Sequence, residues 1–260
     1  MKKFIANIKR YKSYMVYSAK ATLKGEVAGS RLNWLWWVLD PFLFMLVYTF
    51  MALVVFGKGE PYFPIFVFIG LNMYDFFSRT VRKSVRAIKR NKGIISKVYL
   101  PKYILVMKTM LVNGFKMCVA FMLVVLMIPV YRVPITWHVI ELIPVFVTLL
   151  LFTFGCSCIV MNIGVFFSDI ANVIAVFLRL VFYMSGIFYN ILNRVPAPYD
   201  NLLMTINPMA FLIQCARNCV IYQTSPYYAL LGVWFAVSVV LCIVGVRMIQ
   251  KYENSYVKVI

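Results

Sequence analysis

Few residues of this 260-residue chain have the type and placement to do chemistry, and the cation Arg179 stands out among them. It lies about 12 Å into a long apolar segment, at the rise per residue of a helix. A charge at such a depth is by default a functional hypothesis: it would face a water-filled path and contact an anionic substrate. The alternative is structural, with the guanidinium paired to Asp75, Asp40 or a carbonyl group, or extended toward the membrane interface. The sequence leaves both interpretations open.

No other group of residues has the spacing of a catalytic or metal site. His138 is the single histidine, and solvation at a membrane interface explains the nearby Glu141. The string Gly57-Lys58-Gly59 lacks the spacing of a phosphate-binding loop. Cys215 and Cys219 are one helical turn apart, where two packed thiols are expected and a redox pair is the alternative. We therefore predict that the chain is not an enzyme and holds no metal or cofactor of its own.

Six apolar segments must position whatever residues act. Hydrophobic residues make up 63% of the chain and charged residues 13%, which is far from the balance of a soluble domain. A membrane-crossing helix needs ~20 mostly apolar residues. The predicted spans are residues 34–56, 62–78, 104–130, 139–166, 172–192 and 227–248. The sequence therefore predicts an all-α integral membrane protein with six transmembrane helices.

Positive charge is concentrated on one side of these spans. Of the 27 Lys and Arg residues, 21 lie before span one, between spans two and three, or after span six, and four lie on the opposite side. Because cytoplasmic loops carry the excess of Lys and Arg, both termini are predicted to be cytoplasmic. The net charge of +19 then requires no nucleic acid, and a basic inner face attracts anionic lipids.

Three segments outside the spans have patterns of their own. Residues 1–30 alternate apolar and basic residues as an amphipathic helix that lies in the membrane interface. Residues 86–101 are strongly basic with a short apolar ridge, which fits either a groove on a partner protein or a solvated loop that attracts lipid. Residues 194–222 are moderately apolar and broken at Asn207-Pro208. They predict a helical hairpin that re-enters the outer leaflet, because a seventh span would move the C-terminus outside.

Four short strings, in order along nearly the whole chain, resemble the permease subunits of ABC-2 type exporters. The resemblance is to the branch that exports O-antigen, teichoic acid and capsular polysaccharide. The first string is Ser30–Trp36, which leads to Asp40-Pro41 and Tyr48-Thr49-Phe50, and the second is Asn91–Ile104, in which Val98-Tyr99-Leu100-Pro101-Lys102 is close to the family's K-V-Y-F-P-R. The third string is Phe167-Ser168-Asp169-Ile170, which is like the family's F-R-D-I. The fourth is Ser185–Tyr189, followed by Val195-Pro196 and Ile206-Asn207-Pro208. Two departures, Asp40 before the proline and Ser185-Gly186 in place of Ser-Pro, leave the exact glycan open.

The resemblance implies a homodimer of six-span subunits in a bacterial cytoplasmic membrane, docked on two copies of a separate ABC ATPase that holds ATP and Mg. Residues Asn91–Pro101 would form a coupling helix, with Asn91, Ile94, Ile95, Val98, Tyr99, Leu100 and Pro101 as contacts. Residues Phe167–Ala171, with Asp169, would form a second contact. Residues 194–222, with Pro196, Asn207 and Pro208, would form outer gate helices. The pore would run between the subunits, lined by spans one and five, with candidate substrate residues Tyr48, Phe50, Arg179, Tyr183, Phe188 and Tyr189.

The expected function is ATP-driven export of a lipid-linked polysaccharide. Aromatic faces can stack on sugar rings and tyrosine hydroxyls can bond sugar hydroxyls, although packing and lipid contact would use the same residues. One alternative is an ABC-2 permease for lipid or drug efflux. A second, from another class, is a self-contained channel or a membrane-embedded enzyme.

Overall fold

The computed structural model describes residues 2–28, 33–50, 54, 60–167 and 169–259. Within these ranges the regular structure is helical and contains no β-strand, so the predicted all-α class is confirmed. The helices are α1 (Lys2–Val27), α2 (Trp36–Phe50), α3 (Phe63–Val85), α4 (Ala87–Arg90), α5 (Lys92–Ile95), α6 (Tyr103–Val130), α7 (Leu142–Phe166), α8 (Ile170–Met184), α9 (Ile191–Arg194), α10 (Tyr199–Ile206), α11 (Pro208–Arg217) and α12 (Tyr228–Val259).

Three described helices are long and apolar enough to cross a membrane. They are α6, the helix of Trp137–Phe166 that includes α7, and α12 as far as Glu253. The helices α2 and α8 are apolar but have 15 residues each, which is less than the ~20 needed for a span. Six spans therefore remain a prediction. The end of predicted span one, residues 51–56, lies outside the described residues except for residue 54.

Helix α3 is the centre of the fold and extends past the predicted span at 62–78. Apolar residues along most of its length are buried against α2, α6, α7, α8 and α11. Within its basic end, the hydroxyls of Thr80 and Ser84 donate to the carbonyls of Phe76 and Thr80, at 2.6 and 2.8 Å. These bonds satisfy polar groups that would otherwise be buried alone.

The predicted amphipathic segment is helical as α1, and it packs on the first turn of α6. Phe4 lies 5.0 Å from the ring centre of Tyr103, and the Asn7 amide donates to the Tyr103 hydroxyl at 2.9 Å. Met15 and Ala19 are buried on the same face, whereas Tyr17 is exposed. The apolar stripe of α1 thus covers the base of α6, and the cations from Lys9 to Lys24 are exposed.

Helix α8 ends earlier than the predicted span of 172–192. The chain bends at Ser185-Gly186, and Gly186 has φ = +61°, a left-handed conformation in which a Cβ would lie 2.6 Å from Ile191 Cγ1. Glycine is the residue that commonly ends a helix in this way. Phe188 and Tyr189, which were predicted inside the span, therefore lie in the bend after it.

Close approach of backbones joins α7 to α12. A Cβ on Gly155 would lie 2.7 Å from Leu241 Cβ, and one on Gly245 would lie 2.7 Å from Cys158 Cβ. Small residues at helix contacts are the usual basis of packing in membranes, where burial of apolar surface gives little drive. Helix α12 continues to Val259, past the predicted end at 248, and its last turns contact the base of α1 and α6.

Candidate coupling and transport sites

The basic segment after α3 carries an exposed apolar ridge. Ile94, Val98 and Tyr99 expose 42%, 57% and 67% of their surface, and most of the cations around them are exposed as well. Leu100 and Pro101 are buried inside the subunit. These two predicted contact residues therefore anchor the ridge and are not part of its surface.

The segment differs in shape from the single helix over Asn91–Pro101 that the resemblance implied. It contains two single turns, α4 and α5, and residues 96–102 are not helical. Asn91 lies between the turns, and its side-chain amide donates to the Ala87 carbonyl at 2.7 Å. Ile95 is half-buried. Asn91 thus stabilises the junction, and Gly93 within α5 and Pro101 beyond it disfavour one continuous helix.

Polar contacts from both ends of the chain hold the ridge in place. The Tyr11 hydroxyl donates to the Tyr99 carbonyl at 3.1 Å, and the Tyr99 hydroxyl donates to Glu253 at 3.3 Å. Lys102, which is buried, donates to the same carboxylate at 2.9 Å. Partial loss of hydration, and then the Glu253 charge, raises the pKa of Tyr99 above its ordinary value. Sequence reasoning missed Glu253 because it is separated from Tyr99 by 154 residues.

The second predicted contact, Phe167–Ala171, joins α7 to α8. Phe167 and Asp169 are exposed there, and the Asp169 carbonyl accepts from the Asn172 amide at 2.9 Å. Ser168 of this contact lies outside the described residues. The carboxylate of Asp169 is thus available at the start of α8, where a negative charge also suits the helix dipole.

Several predicted pore residues meet where α2 approaches the bend after α8. The rings of Tyr48 and Phe188 stack with centres 3.8 Å apart, and Phe182 contacts Phe188 edge-on at 5.5 Å. The Tyr189 hydroxyl donates to the Tyr183 carbonyl at 3.0 Å. Phe50 and the Tyr183 ring are largely exposed. The structure thus brings Tyr48 and Phe188 together and joins Tyr189 to Tyr183 at the end of α8, whereas no described ring contact includes Phe50.

Arg179 lies on the exposed side of α8 and forms no ion pair with any residue that the structure describes. The structural alternative of pairing with Asp75 or Asp40 is wrong, because both carboxylates bind Arg79, at 2.9 and 3.4 Å. The predicted i,i+4 pair of Asp75 and Arg79 is confirmed. Arg179 therefore remains available to a ligand or to a second copy of the chain.

Arg217 is the buried cation that sequence reasoning missed. It exposes 1% of its surface and donates to three carbonyl oxygens: Nε to Phe66 at 3.1 Å, Nη1 to Gly186 at 2.8 Å and Nη2 to Ile187 at 2.8 Å. Its guanidinium carbon also lies 3.4 Å from the centre of the Phe66 ring. The charge count assigned it to the outer side as an ordinary loop cation. A cue was its position in an apolar run, Phe211–Ile221, where a charge needs partners.

The predicted hairpin of residues 194–222 is broken at Asn207, as its sequence indicated. The Asn207 Oδ1 accepts from the amides of Met209 and Ala210 at 3.0 and 3.3 Å, which caps α11. Its Nδ2 donates to Met184 and Ser185 at 3.2 Å each. Pro208 begins α11, and Pro196 lies between α9 and α10. Asn207 thus ties the hairpin to the end of α8.

The acidic group near His138 does not have the geometry of a catalytic triad. His138 Nδ1 lies 3.1 Å from Glu141 and 3.3 Å from the Ser225 hydroxyl, so one ring nitrogen faces both residues. A triad needs the two different nitrogens of the ring. Among the described residues, no cluster of His, Cys, Asp or Glu could hold a metal ion.

Known proteins that are similar to this chain are named as polysaccharide-export permeases or transport proteins. The O-antigen export system permease protein RfbA of Myxococcus xanthus is 29% identical over 93% of this chain and 93% of its own length. A Klebsiella pneumoniae protein of the same name is 24% identical over 95% of this chain and 94% of its own length. The chain is similar to named O-antigen export permeases over nearly its whole length. The polysialic acid transport protein KpsM of Escherichia coli is 26% identical over 73% of this chain. No protein-family model matches the chain.

These relatives confirm the resemblance to export permeases of the ABC-2 polysaccharide branch. They are named as permease or transport proteins, which agrees with a transport subunit and not with an enzyme. Their names favour polysaccharide export over the alternative of lipid or drug efflux. The coupling, pore and gate roles of individual residues are predictions that these relatives do not test.

Proposed function

We propose that this chain is the membrane-spanning permease subunit of an ATP-driven exporter of lipid-linked polysaccharide, of the O-antigen, teichoic-acid or capsule type. The observation that carries the proposal is similarity to a named O-antigen permease over 93% of the chain. Transport chemistry of this kind needs a path, an engine and a coupling surface. The path and the coupling surface have candidates in the described residues, and the engine is a separate chain.

The engine is a separate ABC ATPase that binds ATP and Mg. An exposed ridge of Ile94, Val98 and Tyr99 among cations supports this partner, because an apolar patch with a charged rim is typical of a protein interface. The ridge is also fixed from within by Tyr11 and Glu253. A rigid ridge can transmit the closure of two ATPase domains as a rigid-body motion.

The path lies between two copies of the chain in a homodimer. Helix α8 supports this arrangement, because its single buried side chain among described residues is Leu178 and it carries a cation among exposed apolar residues. These exposed residues are Val173, Val176, Phe177, Leu180 and Tyr183. Lipid can cover the apolar side chains, but a water-filled path suits Arg179. In the dimer Arg179 contacts the anionic pyrophosphate or an acidic sugar of the cargo.

The topology has six spans, with both termini on the cytoplasmic side of the bacterial cytoplasmic membrane. The distribution of Lys and Arg supports this orientation. Contacts among α1, the ridge and the end of α12 support it too, because they put both termini beside the same basic segment. The hairpin of α10 and α11 then lies on the outer side, where its tie to Ser185 makes it a gate over the path.

The proposal is tested in a polysaccharide-producing strain that lacks its own permease. Expression of this chain with its ATPase should restore glycan at the cell surface, measured with an antibody, and should deplete the lipid-linked intermediate inside. A partner with its ATP-binding lysine replaced is the matched control and should restore nothing. Export by this chain in the absence of any ATPase would contradict the proposal.

A further inference from the structure

A polar cavity of about 360 Å³ lies where α1, α2, α3 and α6 meet. Its volume is within the range of small-ligand sites, ~300–1,000 Å³. The end of α1 and the indoles of Trp36 and Trp37 form part of its wall. In the proposed topology α1 lies in the membrane interface and the tryptophans mark its inner boundary, so the cavity lies at the depth of the lipid headgroups. The export function proposed above assigns it no role.

The charged groups around this cavity balance one another. Asp40 and Asp75 both bind Arg79, at 3.4 and 2.9 Å, and Glu26 binds two lysines. Three carboxylates are thus matched by three cations. A ligand with a single charge would bring that charge into the cavity without a free partner, which is costly. A zwitterion brings one charge of each sign and leaves the balance intact.

Arg79 and Asp40 have unused hydrogen-bonding capacity at the cavity. Both side-chain bonds of Arg79 are made by Nη2, so its Nε and Nη1 donate to no described residue, although a guanidinium has five N–H donors. Asp40 accepts through Oδ2, and its Oδ1 accepts from no described residue. The two side chains are 46% and 50% exposed. Donors for a phosphate therefore lie beside an acceptor for an ammonium group.

An exposed apolar stripe leads away from Asp40 along α2. Leu43 and Val47 follow Asp40 by three and seven residues, which puts them on the same face of the helix. Both are exposed, and so is Trp36, one turn before Asp40. In the proposed topology α2 runs from the inner boundary into the bilayer, so the stripe has the place of acyl chains attached to a headgroup at Asp40. This order favours a lipid over a soluble zwitterion.

We propose that this cavity binds the headgroup of a phospholipid that carries a primary ammonium group, of the phosphatidylethanolamine class. The ammonium donates to Asp40 Oδ1 and lies against the Trp36 indole. Lys116 Nζ, 5.7 Å from the centre of the Trp37 ring, already makes this kind of contact in the wall. The phosphate accepts from Nε and Nη1 of Arg79, and the acyl chains lie along the apolar stripe. The inference goes beyond the proposed export function and does not rest on it, because the lipid is a bound component of the membrane and not the cargo.

The test is native mass spectrometry of the permease–ATPase complex, which is delipidated and then equilibrated in detergent micelles with equal amounts of phosphatidylethanolamine, phosphatidylcholine and phosphatidylglycerol. The complex should retain phosphatidylethanolamine about fivefold over the other two, since neither of them has an ammonium group that can donate a hydrogen bond. Phosphatidylethanolamine should also raise the unfolding temperature more than phosphatidylcholine does, because a ligand of the folded state stabilises it. Glycerophosphoethanolamine, the headgroup without acyl chains, is the soluble competitor and should not displace the lipid.

Two variants with matched controls localise the binding. Asp40→Asn removes the charge that holds the ammonium and should reduce the preference to about twofold or less. Its unfolding temperature in phosphatidylcholine should be unchanged, because the ion pair is partly exposed and such pairs contribute little. Asp169→Asn, at an exposed carboxylate outside the cavity, should keep the preference. Trp36→Leu should lower the preference, whereas Trp34→Leu, at an exposed indole outside the cavity wall, should not.

A preference for phosphatidylethanolamine that both Asp40→Asn and Trp36→Leu reduce, and that both controls keep, supports the site. Displacement of the lipid by glycerophosphoethanolamine would support the headgroup chemistry and assign it to a soluble zwitterion. Equal retention of phosphatidylcholine, stronger retention of phosphatidylglycerol, or an unchanged preference in Asp40→Asn would overturn the inference. None of these results depends on export, which is tested separately in the permease-deficient strain.

Discussion

The guanidinium of Arg217 donates through Nη1 to the carbonyl oxygen of Gly186 at 2.8 Å. This bond links the hairpin of α10 and α11 to the bend that ends α8. The bend leaves the Gly186 and Ile187 carbonyls outside any helix, and Arg217 supplies donors to both. A planar fork of donors is suited to several carbonyls at once. The hairpin of α10 and α11 and the candidate pore helix α8 therefore share one polar connection.

Replacement of Arg217 by leucine should destabilise the protein by about 3 kcal/mol or more, because hydrogen bonds to charged groups contribute ~1.5–3 kcal/mol each. Arg217→Lys should recover only part of this loss, since one ammonium cannot reproduce the fork. Thermal unfolding of the detergent-solubilised protein measures both. Arg132→Leu, at an exposed position, is the control, and an equal loss in that variant would argue against the connection.

Gly70→Ala tests the same connection from α3. A Cβ on Gly70 would lie 2.7 Å from Arg217 Nη2, so the methyl group must move the guanidinium off its carbonyls. The expected result is a lower unfolding temperature than for the parent. Gly232→Ala, where a Cβ meets no atom within 4 Å, should be neutral or stabilising. Additive losses in Gly70→Ala/Arg217→Leu would contradict the mechanism, because neighbours that share one interaction are not additive.

The exposed ridge should carry the contact with the ATPase. Ile94→Asp or Val98→Asp should weaken co-purification with the ATPase by tenfold or more, because each buried aliphatic side chain contributes about 1.5–3 kcal/mol. Both residues are exposed in the subunit, so folding should be preserved. Ile135→Asp, on an exposed loop beyond α6, is the control. Retention of the ATPase by the double variant Ile94→Asp/Val98→Asp would exclude the ridge as the coupling surface.

Much of the fold follows from local signals in the sequence. The apolar runs of α6, α7 and α12 predicted helices that the structure contains, and Asn207-Pro208 predicted the break between α10 and α11. The end of α8 was missed although Gly186 is present, because the run Ile187–Tyr189 remains apolar beyond it. A length of apolar sequence does not distinguish a continuing helix from a bend buried under another element.

The sites depend on contacts that are distant in sequence, which limits their prediction. Asp75 and Arg79 are four residues apart, and their pairing was predicted correctly. The partners of Arg217 lie 30, 31 and 151 residues away, and those of Lys102 lie 151 residues away. Charge counting treated both as members of a solvated face. Hydropathy assigns a residue to a side of the membrane but does not identify the carbonyl or carboxylate it meets.

Acidification should release the end of α1. Burial alone would raise the pKa of Glu26, but hydrogen bonds from Lys116 and Lys83 outweigh it and lower the pKa below the ordinary value of 4.5. A carboxyl with a depressed folded pKa stabilises above its unfolded pKa and loses this contribution as the pH falls through the folded pKa. Protease cleavage within α1 should therefore increase below pH 4.5. Glu26→Gln should be more sensitive at pH 7 and less dependent on pH, and parallel profiles for the two proteins would contradict this role.

Loss of one partner of the Lys102–Glu253 ion pair should destabilise the protein more than replacement of both by apolar residues, as is usual for buried ion pairs. Glu253→Gln leaves the buried ammonium without its charge partner and should destabilise more than the double variant Lys102→Met/Glu253→Leu. A double-mutant cycle on unfolding temperature gives the coupling between the two residues. Because Glu253 also accepts from Tyr99, the single variant should lower ATPase stimulation as well. A coupling near zero would mean that the pair does not position the ridge.

Replacement of Arg179 decides between a role in transport and a role in structure. Its guanidinium is exposed and forms no ion pair with a described residue, so Arg179→Ala should leave both the unfolding temperature and ATPase association unchanged. Export should fall at least about tenfold, because a phosphate contact from a charged group contributes about 1.5–3 kcal/mol. Arg179→Lys should restore part of the export by keeping the charge. Phe177→Ala, an exposed neighbour on the same helix, controls for disturbance of α8. If Arg179→Ala exported normally, its charge would have no role in the path; if instead it lost ATPase association, Arg179 would belong to the packing of the two subunits.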